Sequence, residues 1–238
     1  MGIYEFAGCV VSYEPLYGLL RRRMETYRSD TERQPDITLD GTKEDYEKLR
    51  KQYPHLSIEE CEYSCAGAEF YMKLLKHQGF MIHASAVEKE GKAYLFSAPS
   101  GTRKSTHAQL WRQTFKGEPI RIINDDKPAV CLQNGVFYAC GTPFSGKTDK
   151  NENRKAPIQG LCMLHRGKTN KIQKITSGEA LPLILPQTLF YGDEEETNLL
   201  LSFLDRFLQS VPVYKMETSY EKSVSYTHLR AHETRSNL

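Results

Sequence analysis

An α/β fold is predicted for this 238-residue chain from three features. Strand-like and helix-like stretches alternate along its first part. From Gly79 the texture changes to short apolar strands joined by polar turns, the pattern of hairpins. Between one such strand and an amphipathic helix lies the loop SAPSGTRKSTH, Ser97 to His107, and the strand after that helix ends in Asp125–Asp126. The expected organisation is an N-terminal α+β segment over 1–78, a sheet core over 79–223 and a tail over 224–238.

In the first segment, IYEFAGCVVSYE predicts a strand pair or one long bent strand, and LYGLLRRRMETY a helix. PDITLD predicts a short strand opened by Pro35. TKEDYEKLRKQY carries a Thr-x-x-Asp capping pattern, and SIEECEYSCAGAEFYMKLLKH repeats that start signal before a longer amphipathic run. The runs Arg21–Arg23 and Glu194–Glu196 are expected on solvated faces.

In the second segment, GFMIHASAV and KAYLFSA flank the turn EKEGK and predict a hairpin. STHAQLWRQTF places Ala108, Trp111 and Phe115 on one helical face. IRIIN is a buried strand, and AVCLQNGVFYAC a hairpin around Asn134–Gly135. GLCMLH and KIQKI flank RGKTN and predict a third hairpin. EEETNLLLSFLDRFLQSV is the clearest helix, with Leu200, Phe203, Leu204, Phe207 and Leu208 along its buried stripe. Pro212 stops it, and PVYKMET predicts a late strand. The tail, Val224 to Leu238, has no apolar periodicity and resembles translated sequencing-adapter read-through. On that reading it carries no function, and His228 and His232 are not a zinc pair; a disordered basic tail is the alternative.

Composition narrows the function classes. With 32 basic against 30 acidic residues, the net charge of +2 gives no electrostatic reason to expect nucleic acid or an anionic membrane. No apolar run approaches the roughly 18 residues of a membrane span. The N-terminus is apolar before it is basic, the wrong order for a secretion signal, so a cytoplasmic location is expected. The six cysteines include no CxxC pair and are expected to be reduced and mostly buried.

The loop Ser97–His107 carries the chemistry. A phosphate-binding loop works because consecutive backbone N–H groups, backed by a helix N-terminus, surround anionic oxygens. Ser100, Gly101 and Thr102 would form the turn, with Lys104 as the phosphate lysine, expected in solvent at the helix start. Ser105 would be the metal-binding hydroxyl, with Thr106 next along the helix. Against GxxxxGK[ST], Ala98 replaces the first glycine and Arg103 the second. The acidic pair strengthens the reading, because carboxylates at a strand's carboxyl edge can hold Mg²⁺ and accept a hydroxyl proton; alternatively, Asp125 and Asp126 merely open a turn before Pro128. His83, on the strand before the loop strand, faces either the phosphates or the core. In GTPFSGKTDKNENRK, Gly141 to Lys155, Lys147 is the cation best placed to act, whereas Lys150 and Lys155 fit a solvated loop better.

IHASAV, SAPSGTRKSTH, INDDKPAV and GTPFSGK occur in that order, and a hairpin feeds the loop strand. In these features the chain resembles the HPr kinase and phosphoenolpyruvate carboxykinase superfamily, and within it the small HPr-kinase-like proteins of Firmicutes. The resemblance covers about Gly79 to Ala180. It implies a mixed-sheet P-loop kinase core, ATP with Mg²⁺ as cofactors, and phosphoryl transfer to a serine hydroxyl. It implies Lys104 and Ser105 at phosphate and metal, Asp125 as general base, Asp126 as a metal-side carboxylate and His83 as a neighbour tuning Asp125. Two departures stand out: Arg103, and the lack of a match to the C-terminal protein-substrate signature of true HPr kinases. The expected function is therefore an ATP-dependent kinase acting on a serine of a peptide or small protein, or on a small-molecule hydroxyl. The alternative is a catalytically impaired nucleotide-binding or interaction protein of the same fold. Nucleotide and hydroxyl acceptor are the expected partners, with a homo-oligomer left open.

Overall fold

The computed structural model describes residues 1–99, 104–115, 119–189 and 192–218. Strands β1 (Gly2–Phe6) and β2 (Cys9–Tyr13) form a hairpin, and β3 (Ile37–Thr38) joins β2 in parallel. Helix α1 (Gly18–Glu25) lies between β2 and β3, followed after β3 by α2 (Lys43–Gln52) and α3 (Ile58–Leu74). Both later helices start where their sequences say. Thr42 with Asp45, and Ser57 with Glu60, close reciprocal capping boxes that satisfy N–H groups a helix leaves unpaired.

A nine-stranded mixed sheet forms the rest of the framework. Its strands are β4 (Gly79–Met81), β5 (Ala84–Lys89), β6 (Lys92–Ser97), β7 (Arg121–Asn124), β8 (Ala129–Gln133), β9 (Val136–Cys140), β10 (Lys155–Arg166), β11 (Lys171–Ile175) and β12 (Val213–Thr218). The main path runs β4-β8-β9-β10-β6-β5-β7. The predicted β5–β6 and β8–β9 hairpins are present, the latter turning at Asn134 and Gly135, whose φ values of 50° and 80° suit a tight type I′ turn.

Two predicted pairings are corrected. GFMIHASAV is not one strand: β4 pairs with β8, whereas β5 pairs with β6 and β7. Between them the backbone N–H of Ile82, His83 and Ala84 bonds to carbonyls of Pro128, Gln187 and Asp126 respectively. His83 therefore sits in a break, not on a strand. The β10–β11 hairpin is also absent, because β12 lies between, parallel to β10 and antiparallel to β11. RGKTN reverses the chain as read, but a turn signal cannot show that a later strand fills the gap it leaves.

Helices cover both faces of the sheet. On one side, α5 (Ser177–Ile184) and α6 (Glu194–Ser210) pack on alternate sheet residues such as Ala86, Leu95 and Leu161. Phe207 meets Phe80 and Phe137 edge-on, with ring centroids 5.8 and 5.2 Å apart. The helix α4 (Lys104–Thr114) covers the other set, with Trp111 against Tyr94 and Phe96. A further cluster joins the first 78 residues to the sheet: Phe6, Phe70 and Tyr63 surround Phe144, close to Met81, Ala129 and Cys131. Five of the six cysteines are buried. Among the described residues no helix is long and apolar enough to cross a membrane.

Candidate active site

The site is built around the end of β7. Asn124 is fully buried, and its Oδ1 accepts bonds from the backbone N–H groups of Asp126 (3.0 Å) and Lys127 (2.8 Å). Its amide donates to Thr142, so the corner is fixed from both sides. An Asx-type turn of this kind presents the two following carboxylates in different directions.

Asp125 points inward. It is 3% exposed, and its Oδ1 and Oδ2 accept hydrogen bonds from Ser85 (2.8 Å) and Thr148 (2.9 Å). Asp126 is more open. Its Oδ1 lies 3.3 Å from His83 Nε2 and its Oδ2 lies 3.6 Å from Lys127 Nζ. Partial burial pushes the Asp126 carboxyl up, but the His83 hydrogen bond and the charges of Lys127, His83 and Lys104 outweigh it, leaving its pKa below the ordinary value. His83 is itself held, with Nδ1 3.2 Å from Gln187 Oε1. The expected tuning of Asp125 by His83 is thus corrected: the imidazole engages Asp126, because the turn at Asn124 sends Asp125 toward Ser85.

Lys104 begins α4 and is buried, at 7% exposure, not in solvent as the sequence suggests. Its Nζ donates to the Ala98 carbonyl (3.1 Å). Burial lowers the pKa of this amine, and the nearby Asp126 and Asp125 carboxylates only partly oppose that. Ser105 is half-buried and Thr106 exposed. Ser100, Gly101, Thr102 and Arg103 lie outside the described residues, as does the tail over 224–238.

Ser105, Asp125 and Asp126 line one cleft of about 740 Å³, with Lys127 and Lys147 as cations beside them. The opposite wall comes from the first segment, through Arg23 of α1 and Tyr63 of α3. Arg23 was expected on a solvated face. Its side chain is instead 8% exposed, with the guanidinium 4.8 Å from the Tyr63 ring centroid. Arg154 and Lys155 turn elsewhere, to Glu88 and Gln133.

The residues present fit a magnesium nucleotide. A buried lysine at a helix N-terminus suits phosphate oxygens, and a hydroxyl with carboxylates suits a hard cation. Asn124, Ser85 and Thr148 escaped the sequence reading although each lies in a stretch it singled out. Arg23 and Tyr63 carried no signal, since only the fold brings them to the cleft.

No family model matches the chain, and no curated protein does. Among solved structures it is similar to the HPr(Ser) kinase/phosphatase from Coxiella burnetii. The likeness has a TM-score of 0.38 at 10% identity, over 66% of this chain and 99% of that one. The molecule is a mixed α/β protein with a large mixed sheet and a distant structural similarity to that enzyme.

Proposed function

We propose that the protein is an ATP-dependent phosphotransferase that moves a phosphoryl group to a hydroxyl, on a serine of a peptide or small protein or on a small molecule. The observation that carries this reading is that Ser105, Asp125 and Asp126 line one cleft, with His83 paired to Asp126 and buried Lys104 beside Ser105 at the start of α4.

Bound Mg-ATP would supply the phosphoryl group, with the cation neutralising phosphate charge. Lys104 would leave the Ala98 carbonyl for phosphate oxygens, and Ser105 with Asp126 would supply oxygen donors for Mg²⁺. Asp126 would also accept the proton of the incoming hydroxyl, since its side chain is 28% exposed whereas Asp125 is buried and held by Ser85 and Thr148. His83 holds Asp126 in position, and Asp125 fixes Thr148 and hence the neighbouring Lys147.

Arg103, standing where such loops carry glycine, favours a second reading in which nucleotide binds without transfer. Incubation of the purified chain with labelled Mg-ATP, serine-containing peptides and free serine separates the two. Label on a hydroxyl, lost in Lys104→Met, is the expected result. Binding without label on any acceptor would leave the second reading, and absence of nucleotide binding would overturn both.

A further inference from the structure

We infer that Arg23 and Tyr63, contributed by the segment before the sheet core, are positioning residues that clamp the Ser145–Asp149 loop over the Asp125–Asp126 pair. The catalytic consequence rests on the phosphotransferase reading; the clamp itself does not.

The loop contains no helix or strand, so its placement depends on individual contacts. Gly146 is gripped on both sides of its backbone. Its N–H donates to Tyr63 Oη (3.1 Å), and its carbonyl accepts from Arg23 Nη2 (2.7 Å). Arg23 Nε lies 3.1 Å from Asp149 Oδ1, three residues further along. The planar guanidinium thus spans the loop while packing on the Tyr63 ring, a bridge that a lysine ammonium cannot reproduce. Lys127, next to Asp126, lies 5.3 Å from the centroid of that same ring.

The other side of the loop meets the acidic pair. Thr148 bonds Asp125, and Gly146 comes so close that a Cβ placed there would lie 2.8 Å from the Asp126 Cβ. A shift of the loop would therefore disturb both carboxylates and carry Lys147 with it. Small misplacements of groups around a reacting centre reduce turnover steeply, by on the order of a hundredfold per ångström.

The test uses Tyr63→Phe, Arg23→Met and Arg23→Lys in the full chain. Tyr63→Phe keeps the ring and removes only the acceptor for the Gly146 N–H. Amide hydrogen exchange over residues 145–149 should quicken by about tenfold or more in Tyr63→Phe and Arg23→Met, as expected for loss of a local bond that gates opening. With the acceptor found for the parent, kcat should fall by about tenfold or more while the Kd for Mg-ATP stays within about twofold. Arg23→Lys should recover only part of kcat. Unchanged exchange in both Tyr63→Phe and Arg23→Met overturns the clamp, and faster exchange with unchanged kcat overturns its positioning role. If the parent transfers no phosphate, the phosphotransferase reading falls, and exchange still decides whether the clamp exists.

Discussion

His83 Nε2 lies 3.3 Å from Asp126 Oδ1, whereas Asp125 next to it is hydrogen-bonded by Ser85 and Thr148. Two adjacent carboxylates are thereby given different partners by one turn. Asp126→Asn should lower phosphoryl transfer by about 10²-fold or more, the usual cost of losing a proton acceptor. Asp125→Asn should cost less than about tenfold, because the Ser85 and Thr148 hydroxyls can rotate to suit an amide. Steady-state kinetics on both variants checks the assignment, and a larger loss in Asp125→Asn would return the proton to Asp125.

Lys104 is buried without an ion pair to the carboxylates, donating instead to Ala98. A desolvated amine is costly to hold. Lys104→Met keeps most of the apolar stem and removes the charge. It should abolish Mg-ATP binding in titration calorimetry while leaving the melting temperature unchanged or raised. Retained ATP affinity would disprove its phosphate role.

Gly146 has φ of +71°, a region that side-chained residues avoid, and it packs against Asp126. Gly146→Ala should therefore cost about 1–2 kcal/mol of stability from backbone strain. It should also depress turnover more than Gly135→Ala, where a Cβ would meet nothing within 4 Å. Equal turnover in the two variants would show that the contact with Asp126 is immaterial.

His107 is 5% exposed, its ring centroid 4.5 Å from that of Phe96 under α4, and burial lowers its pKa from 6.5 to about 4. Its neutral form is the one that folds. This contribution is fully present above pH 6.5 and is lost as pH falls toward 4, because the unfolded chain takes up the proton first. The loss amounts to about 3 kcal/mol across that window. Urea titrations of the parent and His107→Gln between pH 7 and 4 should show a shallower acid loss in the variant.

How much of this was legible depended on the range of the interaction. Capping boxes at Thr42 and Ser57, the Asn134–Gly135 turn and the Trp111 face are local, and sequence spacing alone determines them. Order and context also single out the acidic pair and Lys147, which line one cleft, and His83, which pairs with Asp126. What failed was non-local. β12 enters beside β10 from a distant stretch, α5 was overlooked with Pro182 inside it, and Arg23 looked solvated because nothing local announces Tyr63 and Gly146 as its partners. The different partners of Asp125 and Asp126 follow from the Asn124 turn, whose direction no pattern of residue types encodes.

Arg103 immediately precedes Lys104, the first residue of α4. Glycine at such a point lets the backbone approach phosphate closely and adopt dihedrals that side-chained residues avoid. An arginine has a side chain that opposes such close approach and a charge that attracts phosphate. The two outcomes differ in sign. If close backbone approach dominates, Arg103→Gly tightens Mg-ATP binding and raises turnover while the melting temperature hardly moves. This is the expected result, because a phosphate-binding loop acts through several backbone N–H groups together. Isothermal titration of the parent and the glycine variant at low and high salt distinguishes the cases. Weaker binding in the variant, with a smaller salt dependence, would show that Arg103 is itself a phosphate ligand.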